Sequence, residues 1–265
     1  MDDTMAPIGM FDSGLGGLSV LRDVRALLPS EHILYVADSA WCPYGVRPEA
    51  EIRARSIAVA NRIVAMGAKL LIVACNTATS VALPSLRARM PIPVVGLVPA
   101  VKPAAVQSRN KRIGVLATPR TVAGERLESL IREFANDVEV HVQAAPGLAD
   151  LVEAGLLTGA AVDHAVATFV RPLARHGVDT IVLGCTHYPF LRDPIRRAAG
   201  PDVAIIDSGD AVARRTEDLL RRSGQLRGSS TPGNVVIMTS GNTHDVGATA
   251  SRLLAEDIEA ITLGI

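Results

Sequence analysis

Short apolar runs alternate with stretches of helical period from one end of the chain to the other. The runs Ile8–Phe11, Ile33–Ala37, Leu70–Cys75, Val94–Val98, Ile113–Ala117, Val138–Val142, Thr180–Cys185, Val203–Ile206 and Val235–Met238 stand out. Several are apolar almost throughout instead of at every second residue, the pattern of parallel strands buried on both faces. Between them, Leu15–Leu28, Glu49–Met66, Thr121–Ala135, Ala160–His176 and Ala211–Arg222 read as helices. Thr121 with Gly124-Glu125, and Asp207-Ser208, are the expected N-terminal caps of two of them. Strand and helix in strict alternation predict an α/β chain of doubly wound parallel sheet.

The pattern also repeats. Ile8-Gly9-Met10-Phe11-Asp12-Ser13 is echoed by Ile113-Gly114-Val115-Leu116-Ala117-Thr118, 105 residues on, and Leu71-Ile72-Val73-Ala74-Cys75-Asn76-Thr77 by Ile181-Val182-Leu183-Gly184-Cys185-Thr186-His187, 110 residues on. Near-equal offsets predict a duplicated α/β unit with one strand-end cysteine per copy. The Pro-rich segment Pro91–Pro103 reads as the first crossover and Asp207–Asp210 as the second. The expected domains are therefore 1–99 plus 211–265, and 100–210.

Composition narrows the function. The chain has 265 residues, 48% hydrophobic and 20% charged, with 27 basic and 27 acidic side chains. That is a globular chain long enough for a core and a cleft, with no net field to attract a polyanion, so nucleic acid is not an expected partner. Arg214, Arg215, Arg221, Arg222 and Arg227 cluster near one helix, but Glu217 and Asp218 interrupt them, as on a solvated face. The longest apolar run, the twelve residues Met90–Val101, is broken by three prolines and a glycine and falls short of the ~18 needed to cross a bilayer. The acidic start Met1-Asp2-Asp3-Thr4 does not resemble a secretory signal, so a cytoplasmic protein is expected. Three cysteines are too few for a disulfide scaffold and are expected as reduced thiols.

Cys75 and Cys185 each end an apolar strand ahead of small polar residues and an expected helix start. Ligands of open α/β sheets bind at the carboxyl ends of strands, and backbone N–H groups there can lower a thiol pKa or hold a carboxylate. A single such cysteine is more often a small buried hydrophobe; two at matching places reverse that balance. No Cys-x-x-Cys occurs and the six histidines show no ligand-like pairing, which argues against zinc. Only Lys69, Lys102 and Lys111 stand against 24 arginines, and none suits a pyridoxal Schiff base. Phe11-Asp12-Ser13-Gly14-Leu15-Gly16-Gly17 meets neither the dinucleotide nor the P-loop spacing. It is either an anion-binding turn with Asp12 at its mouth or a capped helix start. Asp38-Ser39 and Pro43-Tyr44-Gly45 pose the same question, while Cys42 reads as a bystander.

Taken in order, Phe11-Asp12-Ser13-Gly14-Leu15-Gly16-Gly17-Leu18, Pro43-Tyr44-Gly45, Ala74-Cys75-Asn76-Thr77-Ala78-Thr79, Ile113–Pro119, Leu151-Val152-Glu153-Ala154-Gly155, Leu183-Gly184-Cys185-Thr186-His187-Tyr188-Pro189 and Ile206-Asp207-Ser208 resemble the cofactor-independent glutamate racemases of the aspartate/glutamate racemase superfamily. The likeness spans nearly the whole chain, and His187 stands where aspartate racemases carry Glu. Ala145-Pro146, where many relatives read Cys-Pro, and Pro48, where Ser is common, depart from the pattern away from the catalytic positions. The resemblance implies two pseudo-symmetric domains with the active site in the cleft between them, and racemisation by Cys75 and Cys185 acting on opposite faces of glutamate. It implies that Asp12 assists Cys75, that His187 and Glu153 assist Cys185, and that Asp38 stands behind them. Substrate contacts would come from Asp12, Ser13, Tyr44, Gly45, Asn76, Thr77, Thr186 and His187. It further implies no cofactor, a homodimer, and supply of D-glutamate for peptidoglycan. Another acid substrate on the same scaffold, or a silent small-acid binding protein, are the competing expectations.

Overall fold

The computed structural model describes residues 3–264. The chain divides into two compact units, one running to Leu97 and resuming at Gly209, the other spanning Val98–Ser208. The first holds strands β1 (Ile8–Asp12), β2 (Ile33–Ala37), β3 (Leu70–Val73), β4 (Val94–Gly96) and then, from the returning segment, β9 (Val235–Thr239) and β10 (Ala260–Thr262). The second holds β5 (Arg112–Ala117), β6 (Glu139–Ala144), β7 (Thr180–Gly184) and β8 (Ala204–Ile206).

The two sheets run β10-β9-β2-β1-β3-β4 and β6-β5-β7-β8, parallel throughout. The order β2-β1-β3-β4 is thus repeated as β6-β5-β7-β8, which is the architecture of the sequence echo: β1 and β5 are central, and β3 and β7 lie beside them. Register fixes the strand ends, with Phe11 opposite Val73 in one sheet and Ala117 opposite Gly184 in the other. A parallel sheet must be covered on both faces. In the first unit Phe11, Val36, Leu71 and Val73 pack with Ile52, Val59 and Ile63 of the Glu49–Ala65 helix. In the second, Ile113, Val115 and Ala117 pack with Val101, Ala104, Leu127 and Leu130. Burying one such aliphatic side chain contributes about 1.5–3 kcal/mol, so a one-residue slip along either strand would forfeit several such terms.

Three expectations are corrected. The helix predicted over 121–135 is two helices, Pro119–Val122 and Glu125–Phe134, with Thr118 capping the first and Gly124 leading the second; Gly124 takes extended backbone, which breaks the helix there. The strand expected at 138–142 lies at Glu139–Ala144 and is an edge strand only partly buried, so its apolar run was shorter than its pairing. The first helix begins at Leu18, because Gly14–Gly17 form a turn that Tyr35 closes by donating from its hydroxyl to the Gly14 carbonyl at 2.9 Å. A Cβ on Gly17 would sit 2.8 Å from that hydroxyl and 2.9 Å from the Asp12 Cβ, so the turn requires glycine.

Candidate active site

Each sheet delivers a cysteine at its carboxyl edge, and the two surroundings are unlike. In the first unit Asp12 closes β1, Cys75 follows β3, and both are buried. Cys75 adopts extended backbone as the N-terminal cap of the Asn76–Arg89 helix, and the Ala78 amide donates to its sulfur at 3.5 Å. The sulfur donates to Ser13 Oγ at 3.7 Å, and the Ser13 hydroxyl and amide donate to Asp12 Oδ1 at 3.0 and 2.5 Å. A line of hydrogen bonds therefore runs from thiol through hydroxyl to carboxylate. Burial pushes the Cys75 thiol well up, and the nearby Asp12 charge adds to it; the Ala78 amide and Ser13 oppose without prevailing. Thr77 is buried, and Asn76 Oδ1 is buried with no hydrogen-bond partner among the described residues.

In the second unit Cys185 directly follows β7. A Cβ on Gly184 would lie 2.9 Å from that of Ala117, so glycine lets β7 approach β5 closely just before the cysteine. No regular helix starts at Cys185, which corrects the expected helix-start setting. Tyr188-Pro189-Phe190-Leu191 makes a short 3-10 turn first, and the Arg192–Ala199 helix follows; Pro189 has no N–H to give the Cys185 carbonyl, the bond that Thr79 makes to the Cys75 carbonyl in the first unit. The partner of Cys185 is instead a side chain, His187, whose Nδ1 lies 3.5 Å from the sulfur. His187 Nε2 meets Glu153 Oε1 at 2.6 Å, from the end of the Leu148–Glu153 helix. Burial alone would lower the His187 pKa, but the charge and hydrogen bond of Cys185 and those of Glu153 outweigh it and hold the imidazole well above its ordinary range. Thr186 is buried beside it, and the buried Tyr188 hydroxyl donates to the Ala145 carbonyl at 3.0 Å.

Of the residues singled out by sequence, Asp12, Ser13, Cys75, Asn76 and Thr77 gather in the first unit, and Glu153, Cys185, Thr186 and His187 in the second. Tyr44 is fully buried in the same apolar cluster as Cys75, while Gly45 is half-buried with open space where a Cβ would be. Cys42, half-buried, precedes a cis Pro43, and no disulfide joins the described cysteines. Sequence reasoning missed Arg55. It lies three residues after Ile52 and four before Val59, on the core face of its helix, and a charge in that register was the available signal.

The three lysines are engaged elsewhere. Lys69, just ahead of β3, pairs with the buried Glu31 at 2.6 Å; Lys111 pairs with Asp137 at 2.9 Å; and Lys102 lies over the Phe134 ring. Arg214, Arg215, Arg221 and Arg222 each pair with an acidic residue three or four positions away on their own helix, an exposed salt-bridged face. Among the described residues no group of three or more His, Cys, Asp or Glu is placed to hold a metal ion, and no helix is long and apolar enough to cross a membrane.

Residues 16–216 match the family model of the Asp/Glu/hydantoin racemases. The glutamate racemase of Herpetosiphon aurantiacus is 52% identical over 236 residues, covering 89% of this chain and 93% of its own. The crystal structure of glutamate racemase isoform RacE1 from Bacillus anthracis superposes with a TM-score of 0.91 at 32% identity, over 99% of this chain and 98% of that one. The Escherichia coli glutamate racemase, solved with L-glutamate and the activator UDP-MurNAc-Ala, gives a TM-score of 0.86 at 34% identity over 98% of this chain and all of its own.

Proposed function

This chain belongs to the Asp/Glu/hydantoin racemase family, among its glutamate racemases, and from that premise we propose that it interconverts L- and D-glutamate without a cofactor, by proton transfer between two cysteines. The observation that carries the mechanism is the pairing of Cys75 and Cys185: two buried thiols, each at the carboxyl end of the equivalent strand of a repeated unit, each with its own proton partner. One sulfur as thiolate removes the α-proton from one face of glutamate, and the other as thiol delivers a proton to the opposite face. The configuration inverts, and the two sulfurs end with exchanged protonation states.

The α-proton of an amino acid is weakly acidic, so charge developing on the carboxylate must be met by fixed donors in a site shielded from water. Thr77 and Thr186 supply buried hydroxyls for that purpose, the unpartnered Asn76 Oδ1 is an acceptor suited to the substrate ammonium, and Ser13, Tyr44 and Gly45 complete the proposed substrate contacts. His187, kept protonated, feeds Cys185; Asp12 serves Cys75 through Ser13. The engagement of all three lysines away from the cysteine edges supports a reaction without a Schiff base. The family likeness supports a cytoplasmic homodimer that supplies D-glutamate for peptidoglycan. Purified protein given L-glutamate, with chelator and no added pyridoxal phosphate, should bring optical rotation to zero; unchanged rotation over hours would reject the activity.

A further inference from the structure

Asp38 ends up as the hub of a closed polar cluster with no solvent exposure. Its Oδ1 accepts from Arg55 Nη2 at 2.7 Å and from the Ser240 hydroxyl at 2.6 Å, and its Oδ2 from Arg55 Nε at 2.8 Å and from the Tyr44 hydroxyl at 2.6 Å. The four donors come from three separate stretches of chain: the loop after β2, the Glu49–Ala65 helix, and the return that follows β9. Ser240 also accepts from the Ala40 amide at 3.2 Å, so the returning segment holds the loop twice. Trp41, in the same loop, has Arg47 and Arg55 over its ring at 4.6 and 5.2 Å, and Arg47 Nε donates to the Trp41 carbonyl at 2.7 Å.

We propose, resting on the reading above, that Arg55 and Ser240 are positioning residues for the racemase reaction, acting through Asp38 to fix the Tyr44 side chain and its loop beside Cys75. A buried carboxylate is stable as an anion only when paired and fully hydrogen-bonded, and the bidentate guanidinium fork supplies both charge and direction. With Asp38 so held, the Tyr44 proton is committed to it, and Tyr44 meets a bound molecule as an acceptor only. Burial pushes the phenol far up and the Asp38 charge and hydrogen bond add to this, so Tyr44 stays neutral, in the same buried cluster as Cys75. Lysine cannot replace the fork, because an ammonium is a point charge without the planar pair of donors.

The test is a double-mutant cycle on glutamate racemisation with Arg55→Lys, Tyr44→Phe and the pair, alongside Ser240→Ala with Tyr44→Phe. Arg55→Lys should raise KM about 10-fold with a smaller fall in kcat, since the cost is misplacement of a contact and not loss of a base. In the Tyr44→Phe background the same substitution should add little, because both act on one hydroxyl. A residue that merely supports the fold would lower stability alike in both backgrounds and leave the ratio of effects at unity. Multiplicative effects, or unchanged KM and kcat in Arg55→Lys, overturn the proposal; if Arg55→Lys does not fold, the Ser240→Ala cycle decides it by the same criterion. A wild-type chain that leaves glutamate unchanged instead overturns the racemase reading itself, a distinct result.

Discussion

The two cysteines occupy equivalent places in repeated sheets, yet their proton environments are built from different chemistry. Cys75 borrows from the backbone, capping a helix and reaching Asp12 only through the Ser13 hydroxyl. Cys185 has no helix start and relies on an imidazole clamped by a carboxylate. In the first, burial and a like charge push the thiol well up; in the second, Glu153 and the cysteine hold the imidazole well above its ordinary range. Two-base racemisation needs opposite protonation states at rest, and strict symmetry would work against that. The repeat places the two cysteines at equivalent strand ends, and the divergence of their neighbours makes the two surroundings unlike.

The strongest way to break this comparison is to remove the sulfurs. Cys75→Ala and Cys185→Ala should each reduce racemisation by about 10³–10⁴-fold, the upper part of the range for a lost acid or base; optical rotation checks this, and a variant that keeps most of its rate would leave its partner as the sole base. Next comes the imidazole. Glu153→Gln removes a group that holds the His187 pKa up, so the imidazole should lose its proton at lower pH and the alkaline limb of kcat/KM should move downward, with a loss of about 10²-fold at the alkaline end. An alkaline limb that stays in place would uncouple His187 from Cys185.

Smaller and opposite in sign is Ser13→Ala. It deletes the hydroxyl that can turn from Asp12 to donate to an ionised Cys75, so the thiol should ionise still less readily and the limb set by Cys75 should move to higher pH, with kcat/KM at neutral pH falling about tenfold. Opposite displacements in Glu153→Gln and Ser13→Ala would sharpen the contrast between the two sites. Least affected should be activity in Lys69→Met. That substitution leaves Glu31 buried and unpaired, at a cost of about 3–5 kcal/mol in stability by thermal or urea unfolding, while kcat/KM of the folded fraction stays at the wild-type value. A lost kcat/KM there would mean that the chemistry depends on both edges of the sheet.

The sequence made the scaffold readable because parallel strands buried on two faces leave uninterrupted apolar runs. Ile8–Asp12, Leu70–Val73 and Thr180–Gly184 lie where those runs stand. The edge strand Glu139–Ala144 was displaced because a partly exposed strand does not need an apolar run. The break at Gly124 was hidden because the apolar period resumes after it. Cys75 and Cys185 were visible as an echo, but their unlike surroundings were not: Pro189 in the turn cancels a helix start that Cys185-Thr186 otherwise suggests. The Asp38 cluster was least legible, since Arg55, Tyr44 and Ser240 meet only in the folded chain.

The most direct test of two-base transfer is to run the reaction from L-glutamate in D₂O and follow the α-position of both enantiomers at early times by proton NMR with a chiral separation. Two cysteines on opposite faces predict deuterium at the α-carbon of the D-glutamate formed, while the remaining L-glutamate still carries protium. Deuterium appearing equally in both enantiomers from the start, or D-glutamate that retains the original proton, would contradict the account and point to a single base serving both faces.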